Sequence, residues 1–188
     1  MIVYHTGFSK IKNPDIHIGR ANADFGQGFY LSGDEPFSKR WAGERKGLKT
    51  YLNRYELADE GLKIKHLSKD MSWYDYILGN RNGLKDRLSE YDVIIGPIAN
   101  DTIYDTWGML TGGLIDRETA LRVLQIGPVY EQIVIKSEKA ASALRFISSQ
   151  VLSHEEIEGY RRVVKEEEEA FQEAFGQIIE ETLPEMTN

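Results

Sequence analysis

The 188-residue sequence has no cysteine. Disulfides, thiolate metal sites and cysteine nucleophiles are thereby excluded, and the composition fits a reducing compartment. Long hydrophobic runs are missing too: no window approaches the roughly eighteen apolar residues that a membrane-spanning helix needs. The opening MIVYHTGFSK lacks the basic stretch and apolar run of a secretory signal. The expectation is a soluble, cytoplasmic protein with no membrane partner. There is no phosphate-binding loop of the Walker type and no GxSxG nucleophile elbow. His17, His66 and His154 show no metal-ligand spacing with carboxylates, so no metal site is expected.

Apolar residues make up 41% of the chain, enough for a buried core at this length. The net charge is -7, but it is unevenly placed. Residues 151–188 hold three basic side chains against eleven acidic ones, so the first 150 residues are close to neutral. Global charge therefore argues neither for nor against nucleic acid, although the acidic tail would repel a phosphate backbone nearby. The expected organisation is a body over residues 1–150 and an acidic helical extension over 151–188.

The pattern predicts a strand ending at His5, a long polar loop, and a second short strand in GFYLS. A helix is expected from Glu35-Pro36 to about Glu44, with proline at a tolerated first-turn position. TYLNRYEL reads as a strand with Tyr51, Asn53 and Tyr55 on one face, and GLKIKHL as another. Residues 71–90 look helical with a break near Gly79 and Gly83, and DVIIGP looks like a buried strand. A helix is expected over 102–112, then one capped by Asp116, a strand over 129–136, and a helix from Ser137 through Phe146. His154 to Thr182 reads as one long charged helix with an apolar stripe at Ile157, Tyr160, Val164, Phe171, Phe175 and Ile178. Short strands mixed irregularly with helices give an α+β class.

Two loops carry the chemical signal. In YHTG, His5 ends a strand and small residues come next, letting backbone approach a ligand. In DFGQGFYLSGDEPFSKRWAG, Tyr30 lies on a strand while Ser38 and Trp41 lie on the next helix. Two aromatic walls make a slot for a flat ring, and a cationic ring adds ~1 kcal/mol or more when desolvated. Ser38 is placed to bond a carboxamide.

The set His5, Gly26-Gln27-Gly28-Phe29-Tyr30-Leu31, Ser38 and Trp41 resembles the nicotinamide pocket of the histidine–tyrosine–glutamate class of ADP-ribosyltransferases, which includes poly-ADP-ribose polymerases and diphtheria-type toxins. Residues 1–148 or so resemble, more closely, an uncharacterised bacterial family of that superfamily, marked by His-Thr/Gly-Gly/Ser, Asp-Phe-Gly-x-Gly-Phe-Tyr-Leu and an Ala-Asn-Asp after a buried strand, here Ala99-Asn100-Asp101. The resemblance implies a split mixed β-sheet with flanking helices, and NAD as substrate. His5 would hold the adenosine-side ribose, and Thr6 with Gly7 the nicotinamide amide. Tyr30 and Trp41 would stack the ring, Gly28 would be among the residues that bind NAD, and Arg20 would pair with the diphosphate. Thr6 stands where most polymerases have glycine, a mild departure if the contacts are main-chain. Lys39 and Arg40 read as surface charges.

The superfamily's glutamate begins a late strand, which aligns it with Glu131 in VYEQIVIK and puts Gln132 at a tyrosine position. Alternation sends Glu131 and Gln132 to opposite faces, so one alone can enter the pocket, and periodicity leaves the choice open. Asp101 would cap the next helix, or Asn100 or Asp101 would line the acceptor side. Trp73, Tyr74, Tyr76, Tyr104 and Trp107 would supply an acceptor platform or plain packing. The acceptor would be a protein or a nucleic acid. Small bacterial members are often toxins or defence effectors, which implies a neutralising partner protein. A non-catalytic NAD- or ADP-ribose-binding module and a partner-binding protein working through its acidic helix are the rival readings.

Overall fold

The computed structural model describes residues 1–99 and 102–182. In chain order it runs β1 (Ile2–Gly7), β2 (Phe29–Leu31), α1 (Glu35–Lys39), β3 (Tyr51–Leu57), β4 (Ile64–His66), α2 (Met71–Arg81) and β5 (Val93–Pro97). Then come α3 (Thr102–Thr111), α4 (Arg117–Leu124), β6 (Glu131–Ile135), α5 (Glu138–Ser142), β7 (Leu144–Val151) and α6 (His154–Thr182). The fold is α+β with two sheets. One has the order β1-β3-β7, all antiparallel; the other is mixed, in the order β2-β6-β5-β4, with β4 and β5 parallel.

The sheets meet at a bridge between β1 and the residue after β2, where Tyr4 N–H donates to Ser32 O at 2.8 Å and Ser32 N–H to Tyr4 O at 2.9 Å. Alternation along each strand then builds two apolar layers. Val3, Tyr55 and Leu57 of the first sheet share a core with Phe29, Leu31, Val93, Ile95, Ile133 and Ile135 of the second. The opposite face of the second sheet packs Ile94 and Val134 against Phe25, Trp73, Tyr74 and Ile77. Trp73, Tyr74 and Tyr76 are thus packing residues.

Three elements depart from the sequence pattern. The helix expected through Phe146 stops at Ser142, and Leu144–Val151 is a strand. KAASAL has good helix formers, but β7 gains a full antiparallel ladder along β3, with Leu144 opposite Leu57, and tertiary pairing overrides propensity. Helix α1 ends at Lys39 and continues as a tighter turn, with Arg40 N–H to Phe37 O at 3.1 Å and Ala42 N–H to Lys39 O at 2.9 Å. The tighter winding shifts the phase of residues 40–42, and Trp41 ends 65% exposed. Helix α2 stops at Arg81 because Gly83, at φ 73°, turns the chain out of the helix. The caps read from sequence are present: Asp116 accepts Thr119 N–H at 2.8 Å and Ser137 accepts Ala140 N–H at 3.1 Å. No helix among the described residues is long and apolar enough to cross a membrane.

Candidate functional site

Strand β1 leaves the bridge at Tyr4 with His5, Thr6 and Gly7 still to come. Both backbone groups of Tyr4 point toward β2, so by strand alternation those of His5 point to β3 and those of Thr6 point toward β2 again. Pairing with β2 has ended by then. The Thr6 N–H and C=O therefore face the gap between the sheets, without a backbone partner among the described residues. The Thr6 hydroxyl, on the other side, shares a hydrogen bond of 3.1 Å with the hydroxyl of Ser38, which is buried in α1.

His5 shares the Val3 face of β1, and its ring lies 4.7 Å from that of Phe29. Its Nδ1 is 2.9 Å from Tyr30 O. A carbonyl accepts only, so Nδ1 carries the proton and Nε2 of the neutral ring offers a lone pair. Burial holds the pKa of His5 below its ordinary value, against the opposing pull of that carbonyl. A Cβ on Gly7 would come within 3.1 Å of His5 Nε2, so the glycine leaves the ring its room. Behind His5, Asn53 is fully buried with all four amide positions used. Its Oδ1 accepts from Ile11 N–H at 3.2 Å and Ser149 Oγ–H at 3.0 Å; its Nδ2 donates to Ser9 O at 3.0 Å and His5 O at 3.4 Å. Asn53 straps the start of the long loop over this face.

The expected slot between Tyr30 and Trp41 is not built that way. Phe29 and Leu31 point into the core between the sheets, while Tyr30 turns to the other layer. Its hydroxyl donates to Gly26 O at 2.7 Å and accepts from Phe25 N–H at 2.9 Å, and burial pushes its pKa up. Tyr30 thus fixes the glycine loop and contributes its carbonyl to His5. Trp41 lies edge-on to Phe37 at 6.1 Å, with its indole largely in solvent. Gly28 is needed for packing, since a Cβ there would sit 2.6 Å from Ile135 O and 2.7 Å from Val134 Cγ1. Arg20 lies exposed on the loop between β1 and β2.

Strand β6 decides between the two neighbours at its start. Ile133 and Ile135 share the core that His5 and Phe29 border, and Val134 belongs to the opposite layer. Glu131 therefore takes the His5 face and Gln132 the other. Gln132 is 9% exposed with Nε2 unpartnered, whereas the Glu131 side chain is exposed and makes no hydrogen bond or ion pair with a described residue. Strand β2 lies between, so β1 and β6 are two inter-strand spacings apart, about 10 Å.

Arg40, read from sequence as a surface charge, is 12% exposed. Its guanidinium lies 4.5 Å over the Tyr130 ring, which stacks on Phe37 at 4.4 Å. It also makes a two-pronged pair with Glu167 of α6, Nη1 to Oε1 at 2.9 Å and Nη2 to Oε2 at 2.5 Å. Tyr130 Oη–H donates to the same Oε1 at 2.8 Å. Against the desolvation that burial imposes, hydrogen bonds from Arg40 and Tyr130 hold the Glu167 carboxyl below its ordinary value. Sequence reading had no signal for this network, because its members are 37 and 127 residues apart along the chain.

A family model described as Protein of unknown function (DUF3990) matches residues 1–146. The chain belongs to that family. No curated protein matches the chain. The family match takes in both sheets up to Phe146 and leaves α6, with Glu167, outside.

Two other clusters gather polar side chains. Glu44, His154 and Glu158 bring ligand atoms within 4.8 Å of one another, a set that sequence spacing did not reveal. Arg161 Nη1 already pairs with both carboxylates, so the cluster is a surface ion-pair knot at the start of α6. A groove of about 380 Å³ near Asn22, Asn80, Asp86 and Lys136 opens at the end of the second sheet away from Glu131. Several of its polar groups already have partners: Asn80 Nδ2 donates to Asp24 O at 2.8 Å, and Lys136 pairs with Asp86 at 2.8 Å. Asn100 and Asp101, the expected acceptor-side pair, lie outside the described residues, as does the side chain of Tyr104.

Proposed function

We propose that the protein is an ADP-ribosyltransferase that uses NAD as substrate and modifies a macromolecular acceptor. The observation that carries the reading is the open backbone pair of Thr6. A carboxamide presents one acceptor oxygen and an amino donor, the complement of a single extended residue's N–H and C=O. Around that pair stand the other groups the substrate needs. The exposed Trp41 indole offers a face for the cationic nicotinamide ring. Neutral His5 offers Nε2 to a ribose hydroxyl. Arg20, on the loop, can meet a diphosphate. Tyr30 departs from the superfamily pattern, acting through its carbonyl and its hold on the glycine loop instead of by stacking.

Bound NAD supplies a glycosidic bond whose electron pair leaves with a ring that becomes neutral. Glu131, a carboxylate without a partner among the described residues, accepts a hydrogen bond from the ribose 2′-hydroxyl and stabilises the positive charge gathering on the sugar. It then takes the proton of the attacking acceptor group, so the new bond to the sugar forms as the nicotinamide bond breaks. His5 keeps the substrate in register, with its own tautomer fixed by Tyr30 O.

The test is incubation with a cell lysate and NAD labelled in its ADP-ribose half. Label is expected on a macromolecule, and Glu131→Gln and His5→Ala are each expected to lower it by at least about 100-fold, the scale of losing an electrostatic or acid–base group. Undiminished labelling in both variants would overturn the reading. If calorimetry shows NAD binding while no nicotinamide is released over hours, the protein is a binding module instead.

A further inference from the structure

We propose that Glu167 is a positioning residue for this site, joining its two walls through one carboxylate. The inference rests on Glu131 and Trp41 being site residues. One wall is the end of α1, where Arg40 stands between Ser38 and Trp41. The other is the start of β6, where Tyr130 precedes Glu131. These walls belong to segments about ninety residues apart in sequence, and no strand pairing joins them directly. The Phe37–Tyr130 ring stack brings them together, and Glu167 closes the connection by binding Arg40 with both oxygens and accepting from Tyr130.

Directional bonds set geometry in a way that ring contact does not. A bidentate guanidinium–carboxylate pair fixes the plane of Arg40, and a hydroxyl bond to the same oxygen fixes the tilt of Tyr130. From the far side, Ile98 N–H donates to Tyr130 O at 2.9 Å, so the residue before Glu131 is held at both ends. Helix α6 has attachments besides Glu167. It packs along α4, buries Ile157 beside Leu52 and Leu152, and carries the Arg122–Glu181 pair. The carboxylate is thus one contact of α6 among several, and the one that reaches both walls.

The experiment compares Glu167→Gln and Glu167→Asp with the unaltered full chain. Glutamine keeps the shape but loses the charge; aspartate keeps the charge on a shorter arm. Hydrogen exchange is followed over residues 38–42, 130–132 and 154–182, and nicotinamide release is measured at saturating NAD. Glu167→Gln should raise exchange in the first two segments together while the third is unchanged. Nicotinamide release should fall about tenfold, the order expected when reacting groups lose alignment, with activity ranked Glu above Asp above Gln. A packing role would rank Gln above Asp, and a simple brace would loosen 154–182 alone; either result overturns the proposal. So does faster release in Glu167→Gln, which would make the contact a latch. If the unaltered chain releases no nicotinamide, the functional reading fails while the exchange pattern still decides whether Glu167 couples the two walls.

Discussion

His5 shows what a single side chain owes to its surroundings. Its Nδ1 proton is committed to Tyr30 O, Gly7 clears space at Nε2, and Asn53 holds its carbonyl. Burial lowers its pKa below the ordinary 6.5. As pH falls through 6.5 the unfolded chain takes up this proton before the folded one does. The stability that His5 contributes is therefore complete above 6.5 and is lost as pH falls toward the folded value. Nitrogen NMR of the imidazole should show the Nδ1–H tautomer at neutral pH and a titration midpoint below 6.5. A midpoint at or above 6.5, or the Nε2–H form, would contradict this environment. At the same scale, the sequence named Gly28 and Tyr30 for the site on good grounds of spacing. Spacing does not tell which layer a strand residue enters, and both are spent on packing the loop against β6.

Among the elements, those with local signatures were legible: β1, β5, α4 with its Asp116 cap, and the long α6. Strand β7 was not, because its cause is the remote ladder with β3. The alternation of Leu144 and Phe146 about Arg145 was its one local trace. The start of α6 carries a signal that spacing reveals once looked for, a capping box in Ser153-His154-Glu155-Glu156. Ser153 N–H donates to Glu156 Oε2 at 2.9 Å and Glu156 N–H to Ser153 Oγ at 3.2 Å. Ser153→Ala should cost about 1 kcal/mol of stability in denaturant unfolding. A change within measurement error would mean that buried Ile157 sets the helix start by itself. The candidate site is mixed in the same way: His5, Thr6 and Ser38 stand in local motifs, the facing of Glu131 against Gln132 is set by the layers around β6, and the Arg40–Tyr130–Glu167 network needs three segments in place.

At the scale of the whole molecule, the two sheets touch at the Tyr4–Ser32 bridge and are held by the core between them. The gap into which Thr6 opens is a property of that split, since a continuous sheet would have paired its N–H and C=O. Beyond the first sheet's middle strand, β7 supplies the whole outer ladder of β3 from Tyr51 to Leu57. The family match stops at Phe146, partway along that ladder. A chain cut there would keep the partners of Tyr55, Glu56 and Leu57 but strip those of Tyr51 to Arg54, baring unsatisfied amides on a β-prone segment. Such a fragment should elute from size-exclusion chromatography as multimers or precipitate, and a well-behaved monomer would refute this. Recombinant versions trimmed to the family-matched body are thus prone to edge-to-edge aggregation, and solubility during expression depends on eight residues, Leu144–Val151, that the boundary divides.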